Sequence, residues 1–133
     1  MMIRLIYVSQ SKDIDFKKIK DLLTVSHKKN KASNITGALI YGQGYFIQCL
    51  EGDIKEVENL YKKIILDNRH EHIELISKEE IQEPHFNDWH ASSMNEAAYK
   101  MIEDRYKKDG EFNPYLMRPE QIVMMLNELS KVV

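Results

Sequence analysis

Residues 34–53, NITGALIYGQGYFIQCLEGD, decide the fold. Asn34 to Tyr41 and Tyr45 to Leu50 have the length and apolar character of two buried strands. Gly42-Gln43-Gly44 between them predicts a tight β-hairpin, because two close glycines can supply the positive-φ positions of such a turn. Asp53 and Glu56 have the spacing of a capping box, which predicts that a helix begins directly after the second strand.

The flanking segments extend this unit on both sides. Ile3 to Val8 predicts a first strand, and Asp15 can cap a helix that follows it. Beyond the second helix, His72 to Ser77 predicts a fourth strand and Phe86 to Ser93 a fifth. The order β-α-β-β-α-β indicates an α+β fold: a ferredoxin-like βαββαβ sandwich with an extra strand, in which both helices cover one face of a mixed, largely antiparallel sheet.

The pattern changes after Asn95. Glu96 to Lys107 predicts a helix, Asp109-Gly110 ends it, and Pro119 fits the first turn of a last amphipathic helix. We therefore divide the chain into a domain at residues 1–95 and a C-terminal helical extension at residues 96–133. The extension is too short to fold alone, so we expect it to dock on the open face of the sheet or on a partner chain.

Composition excludes several classes of protein. A net charge of −2 over 133 residues argues against nucleic acid as a partner. One cysteine, Cys49, excludes an internal disulfide, and no apolar run approaches the roughly 20 residues that span a bilayer. We expect a cytoplasmic protein with no membrane partner.

Gln48 is the most informative polar residue. Strand alternation places Phe46, Gln48 and Leu50 on one face and Tyr45, Ile47 and Cys49 on the other. An amide between apolar neighbours needs partners, at about 1–3 kcal/mol if they are missing. Solvent can supply them if that face is open; a heteroaromatic ligand is the functional alternative.

Other candidate residues are ambiguous one by one. Tyr7 ends an apolar strand and is either a core aromatic or a site residue. Ser26 and Asn30 share a face of the first helix, where Asn30 could equally be a C-cap. Arg69-His70 can hold a phosphate or cap helix carbonyls. Trp89, taken alone, is more typical of a core than of a site.

Five strings are together more specific than any single residue. In order and spacing they resemble the signature of the BLUF family of blue-light sensors, over residues 1 to about 95, as a short type without an effector domain. The strings are LIYVS at 5–9, ITGALIY at 35–41, FIQCLEG at 46–52, DNRH at 67–70 and FNDW at 86–89.

The resemblance implies a noncovalently bound flavin, FAD with FMN as the alternative, between the two helices. Tyr7 would donate the electron and Gln48 would be the switch amide between Tyr7 and the flavin. Asn30 would bind the C4=O/N3–H edge, with Ser26 on the same helix face, and Ile35 would line the apolar wall. Arg69 and His70 would lie near the ribityl phosphate.

Two positions depart from the family pattern. Lys29 replaces an Asn that often precedes Asn30. Ala91 replaces the Met that usually follows Trp89 by two residues and takes part in signalling. We therefore expect Trp89 to lie near the flavin pocket, or another residue such as Met94 to take the place of the missing Met.

The resemblance further implies a sensor and not an enzyme, signalling to a separate, unidentified downstream protein, with a homo-oligomer expected. One alternative is a small hydrolase of acylphosphatase type, although Val8-Ser9-Gln10-Ser11 lacks the glycine-rich loop that it needs. A second is a flavin-free interaction module of the same fold. A metal site among the five histidines is the weakest alternative.

Overall fold

The computed structural model describes residues 1–12, 15–108 and 110–132. Asp109, half of the predicted helix break, lies outside these residues. The strands and helices in chain order are β1 (Met2–Ser11), α1 (Phe16–Ala32), β2 (Thr36–Gly42), β3 (Tyr45–Asp53), α2 (Ile54–Ile65), β4 (His70–Ile81), β5 (Trp89–Ser93), α3 (Glu96–Tyr106) and α4 (Pro119–Val132).

The strands form one sheet in the order β4-β1-β3-β2-β5. β1 is antiparallel to β3 and β4, β2 is antiparallel to β3, and β5 is parallel to β2. The ferredoxin-like α+β prediction is therefore confirmed, with β5 as the extra edge strand. β5 begins at Trp89 instead of Phe86, because the Phe86 backbone N–H donates to the Glu51 carboxylate (3.0 Å) and not to a strand.

The hairpin between β2 and β3 has a different turn chemistry from the prediction. Gln43 (φ 52°) and Gly44 (φ 83°) are the two positive-φ residues, as a two-residue loop of type I′ requires, and Gly42 is not one. Gly42 serves the packing: a Cβ there would lie 2.2 Å from Cε of Met94. A side chain at position 42 would therefore require Met94 to shift.

Helices cover both faces of the sheet. α1 and α2 pack on one face, whose core we call the α1/α2 core; its members include Leu5, Tyr7, Leu39, Phe46, Leu50 and Trp89. α3 and α4 pack on the other, over Ile6, Ile40, Ile47 and Cys49. The extension thus docks on the open face of its own sheet, with Ile122, Met125, Leu126 and Leu129 fully buried.

Candidate functional site

One row of residues crosses the sheet at the level of Gln48. Gln48 lies opposite Tyr7 on β1 and opposite Leu39 on β2, and Leu39 lies opposite Ala91 on β5. Tyr7, Leu39 and Ala91 all belong to the α1/α2 face. Because side chains alternate along β3, Gln48 shares this face with Phe46 and Leu50. The register therefore places Tyr7 and Gln48 side by side beneath the two helices.

Three buried polar atoms stand out in this layer. Nδ2 of Asn30, Oε1 of Gln48 and Nε1 of Trp89 have no hydrogen-bond partner within the described residues. Asn30 and Gln48 are each 2% exposed and Trp89 is 1% exposed. Native proteins keep few such atoms, since each costs about 1–3 kcal/mol. The two nitrogen atoms are donors and the oxygen atom is an acceptor. A ligand that carries hydrogen-bond acceptors and an N–H group would satisfy all three.

Tyr7 is held as a neutral phenol. Its ring is buried, 5.7 Å from the ring centroid of Tyr61 and 6.2 Å from that of His70. Burial first, and then the nearby Tyr61 and Asp67, raise the pKa of Tyr7 far above its ordinary value. The phenol therefore keeps its proton unless its ring also loses an electron.

His70 is fixed by internal hydrogen bonds. Its Nε2 lies 2.7 Å from the backbone carbonyl of Ile64, and its Nδ1 lies 2.7 Å from Oγ of Ser9. A carbonyl only accepts, so Nε2 carries a proton; in the neutral ring Nδ1 then accepts from Ser9. With both nitrogens engaged, His70 can meet a ligand through its ring face without breaking a bond.

Arg69 and Ser26 also have partners within the chain. Arg69 binds the carboxylate of Asp67 through Nε (2.9 Å) and Nη2 (2.5 Å), and the hydrogen bond from Arg69 is the main cause that lowers the pKa of Asp67. Oγ of Ser26 donates to the carbonyl of Leu23 on α1 (2.9 Å). Ile35 is buried in the α1/α2 core. Cofactor roles for these three residues stay predictions.

The positions that depart from the family pattern are well defined. Trp89 is buried on the Gln48 face, whereas Met94 packs against Gly42 within the opposite core, so Met94 does not take the place of the missing Met. A cavity of about 200 Å³ lies beside Ala91, lined also by Leu23, Thr24, His27 and Lys28 of α1. Lys29 is exposed.

Glu51 was not among the candidates from sequence. It is fully buried, and its carboxylate binds Arg4, Thr36 and the segment before β5. A glutamate at the end of an apolar strand gives no sign by itself that it is buried. Arg4, the one charged residue of β1, was the one available hint of a buried ion pair.

The comparisons with known proteins agree on one family. Residues 2–92 match the family described as "BLUF: Sensors of blue-light using FAD". The chain is 35% identical over 74 residues to the blue light- and temperature-regulated antirepressor BluF of Escherichia coli (strain K12), which covers 55% of this chain and 18% of that protein.

Solved structures give the same result. The photo-activated state of BlsA has a TM-score of 0.82 at 30% identity, with 100% of this chain and 97% of that chain covered. A bacterial light-regulated adenylyl cyclase has a TM-score of 0.72 at 38% identity, covering 79% of this chain and 32% of the cyclase. The chain thus spans less than a fifth of BluF but nearly all of BlsA.

Two further observations concern metal binding and membrane-spanning helices. Within the described ranges, no group of three His, Cys, Asp or Glu side chains is placed to hold a metal ion. Among the described helices, none is long and apolar enough to cross a membrane. The family match leaves the acylphosphatase alternative without support.

Proposed function

The chain belongs to the BLUF family of blue-light sensors that use a flavin, and from this premise we propose how its own residues bind the flavin and respond to light. FAD is the proposed form, in keeping with the family's description. The flavin would lie between α1 and α2. The observation that carries this proposal is the set of partnerless polar atoms on Asn30, Gln48 and Trp89, beside the buried phenol of Tyr7.

The residues of the site have the chemistry to hold a flavin edge. Asn30 offers an unpaired N–H donor, and its amide oxygen can accept, which suits an edge that presents both a carbonyl and an N–H. Gln48 offers an unpaired acceptor and an NH₂ group. Leu39, Ile35 and Phe46 supply apolar surface for a flat ring.

A flavin held by these residues would supply blue-light absorption and, once excited, a strong electron acceptor. Tyr7 is the donor in our proposal, and because its phenol is buried and protonated, loss of an electron makes it release its proton to its neighbour Gln48. Return of the electron and the proton to Tyr7 leaves Gln48 rotated or tautomerised. The net change is a new hydrogen-bond pattern with no consumed substrate, as expected for a sensor and not an enzyme.

Output requires a second protein or domain. BLUF domains signal to effectors, as the antirepressor BluF and the light-regulated adenylyl cyclase illustrate among the relatives. For this chain we propose a separate downstream protein and a homo-oligomeric sensor. The helical extension at residues 96–133 is the surface that we propose for output, since α4 packs directly on β2 and β5.

Absorption spectroscopy tests the proposal. The purified full chain should carry a noncovalent flavin, which denaturation releases for identification as FAD or FMN by chromatography. Blue light should shift the flavin band to the red, reversibly and without bleaching, because the hydrogen bonds change and the redox state does not. A protein that stays colourless and takes up no added FAD, FMN or riboflavin would sink the proposal.

A further inference from the structure

Glu51 gathers hydrogen-bond donors from across the sheet. Its Oε2 accepts from Nε (3.0 Å) and Nη2 (2.8 Å) of Arg4 on β1 and from the backbone N–H of His85 (2.9 Å). Its Oε1 accepts from Oγ1 of Thr36 on β2 (3.0 Å) and from the backbone N–H of Phe86 (3.0 Å). A fully buried charge is tolerated only with partners of this kind, and every partner here is a donor.

Arg4 extends this network to the far edge of the sheet. Its Nη1 donates to Oε1 of Glu79 on β4 (3.2 Å). Burial lowers the pKa of Arg4, but its hydrogen bond to Glu51 and the charge of Glu51 outweigh this and raise it. The guanidinium therefore stays charged and keeps the Glu51 carboxylate in one orientation.

The two backbone donors lie in the segment that leads into β5. Residues 82–88 contain no helix or strand, so ladder hydrogen bonds do not hold His85 and Phe86. Instead, the Glu51 carboxylate accepts from both of these backbone N–H groups. Phe86, the second of the two residues, precedes Trp89 by three positions. The next fixed point is the carbonyl of Asp88, which accepts from the backbone N–H of Gly37 (3.1 Å).

The position of the Trp89 ring depends on the path of the segment that leads into β5. Its ring lies over Gly37, where a Cβ would come within 3.4 Å of Cζ3, and its buried Nε1 lacks a partner on the Gln48 face. Small displacements of the entering segment would change which part of the ring faces the site. We infer that Glu51 is a positioning residue: through its hydrogen bonds to His85 and Phe86 it holds Trp89 on the Gln48 face.

A purely stabilising role makes a different prediction. If Glu51 only added stability, its replacement would lower the melting temperature and leave the surroundings of Trp89 unchanged in the folded protein. Trp89 is the one tryptophan of the chain, so tryptophan emission reports on this position alone. Emission wavelength and quenching therefore separate positioning from stability.

The test compares Glu51→Gln with Glu79→Gln in the full chain as purified, well below melting. Gln has the size of Glu but only one oxygen, so donors that faced the other oxygen lose their acceptor. Glu79 is the matched control, because it binds the same Arg4 but is half exposed. In Glu51→Gln the Trp89 emission should move to longer wavelength and acrylamide quenching should increase, with both unchanged in Glu79→Gln.

Unchanged emission and quenching in a folded Glu51→Gln protein would overturn the inference. If Glu51→Gln does not fold, Glu51→Asp decides, because it keeps the carboxylate but shortens the side chain and so withdraws the oxygens from the backbone N–H groups of His85 and Phe86. A smaller shift in the same direction supports positioning, and no shift refutes it. The inference concerns only the position of Trp89, so a chain that bound no flavin would defeat the proposed function and leave the Trp89 result standing.

Discussion

Replacing Leu126 by Ala tests whether the helical extension is part of the domain that it covers. Leu126 is fully buried on α4, within the core between α4 and the sheet. A buried Leu→Ala change costs about 2–5 kcal/mol, according to how far the surroundings collapse. The total stability of a domain is about 5–15 kcal/mol, so one side chain accounts for a large share.

Thermal unfolding measures this loss with two probes. For a chain of this length a loss of 1 kcal/mol lowers the melting temperature by about 3–5 °C, so Leu126→Ala should lower it by roughly 6–25 °C. Far-ultraviolet circular dichroism follows all helices, and Trp89 emission follows the opposite face of the sheet. Both should report the same lowered transition, because the extension and residues 1–95 share one core.

The control is Met124→Ala on the same helix. Met124 is 57% exposed, so its replacement should change the free energy of unfolding by less than about 0.5 kcal/mol. If Leu126→Ala melts like Met124→Ala, or if α4 is lost in a separate transition that leaves the Trp89 signal unchanged, then the extension is an independent appendage and our reasoning is wrong.

Three further predictions concern the flavin site. Tyr7→Phe and Gln48→Leu should each keep the flavin, because the apolar contacts remain, and lose the red-shifted state; a normal photocycle in both would refute their roles. Ala91→Met should fill the cavity beside α1 and enlarge the light-minus-dark amide I difference in the infrared, whereas an unchanged signal would show that output does not depend on this position. The raised pKa of Tyr7 means that the folded state retains a proton which the unfolded chain releases above pH ~10, so the free energy of unfolding should fall as pH rises past that value, and less steeply in Tyr7→Phe.

The order of the elements and the two faces of β3 could be predicted from sequence, because both follow from local patterns. Apolar runs gave the strands, and alternation placed Gln48 with Phe46 and Leu50 on one face, as observed. Asp15 caps α1 and accepts from the N–H of Lys18, again a local signal. Docking of the extension followed from its apolar stripe and its length, but the sequence left open whether it docks on its own sheet, as observed, or on a partner chain.

Features that depend on distant partners could not be predicted. Glu51 can be buried because residues 4, 36, 85 and 86 donate hydrogen bonds to its carboxylate. These residues are distant in sequence, so no local pattern predicts the contacts. The predicted strand at residues 72–77 was shorter than β4, because the charged residues near the end of β4 are not typical of a strand. Pairing with β1 nevertheless continues to Ile81. For His70 the sequence left two interpretations open, a phosphate ligand or a cap of helix carbonyls; its Nε2 binds the carbonyl of Ile64 in the last turn of α2, as a cap would, and its phosphate role stays a prediction.

The position of β3 offers a route by which the proposed change at Gln48 would reach the surface. β3 lies in the middle of the sheet, with β1 and β2 on either side and helices on both faces, so among the described elements it has no open edge. Gln48 faces α1 and α2, while its neighbours Ile47 and Cys49 face the core beneath α4. Because such cores are close-packed, a shift of β3 on one face displaces side chains on the other. The strand that carries Gln48 therefore also contributes Ile47 and Cys49 to the core on which the extension packs.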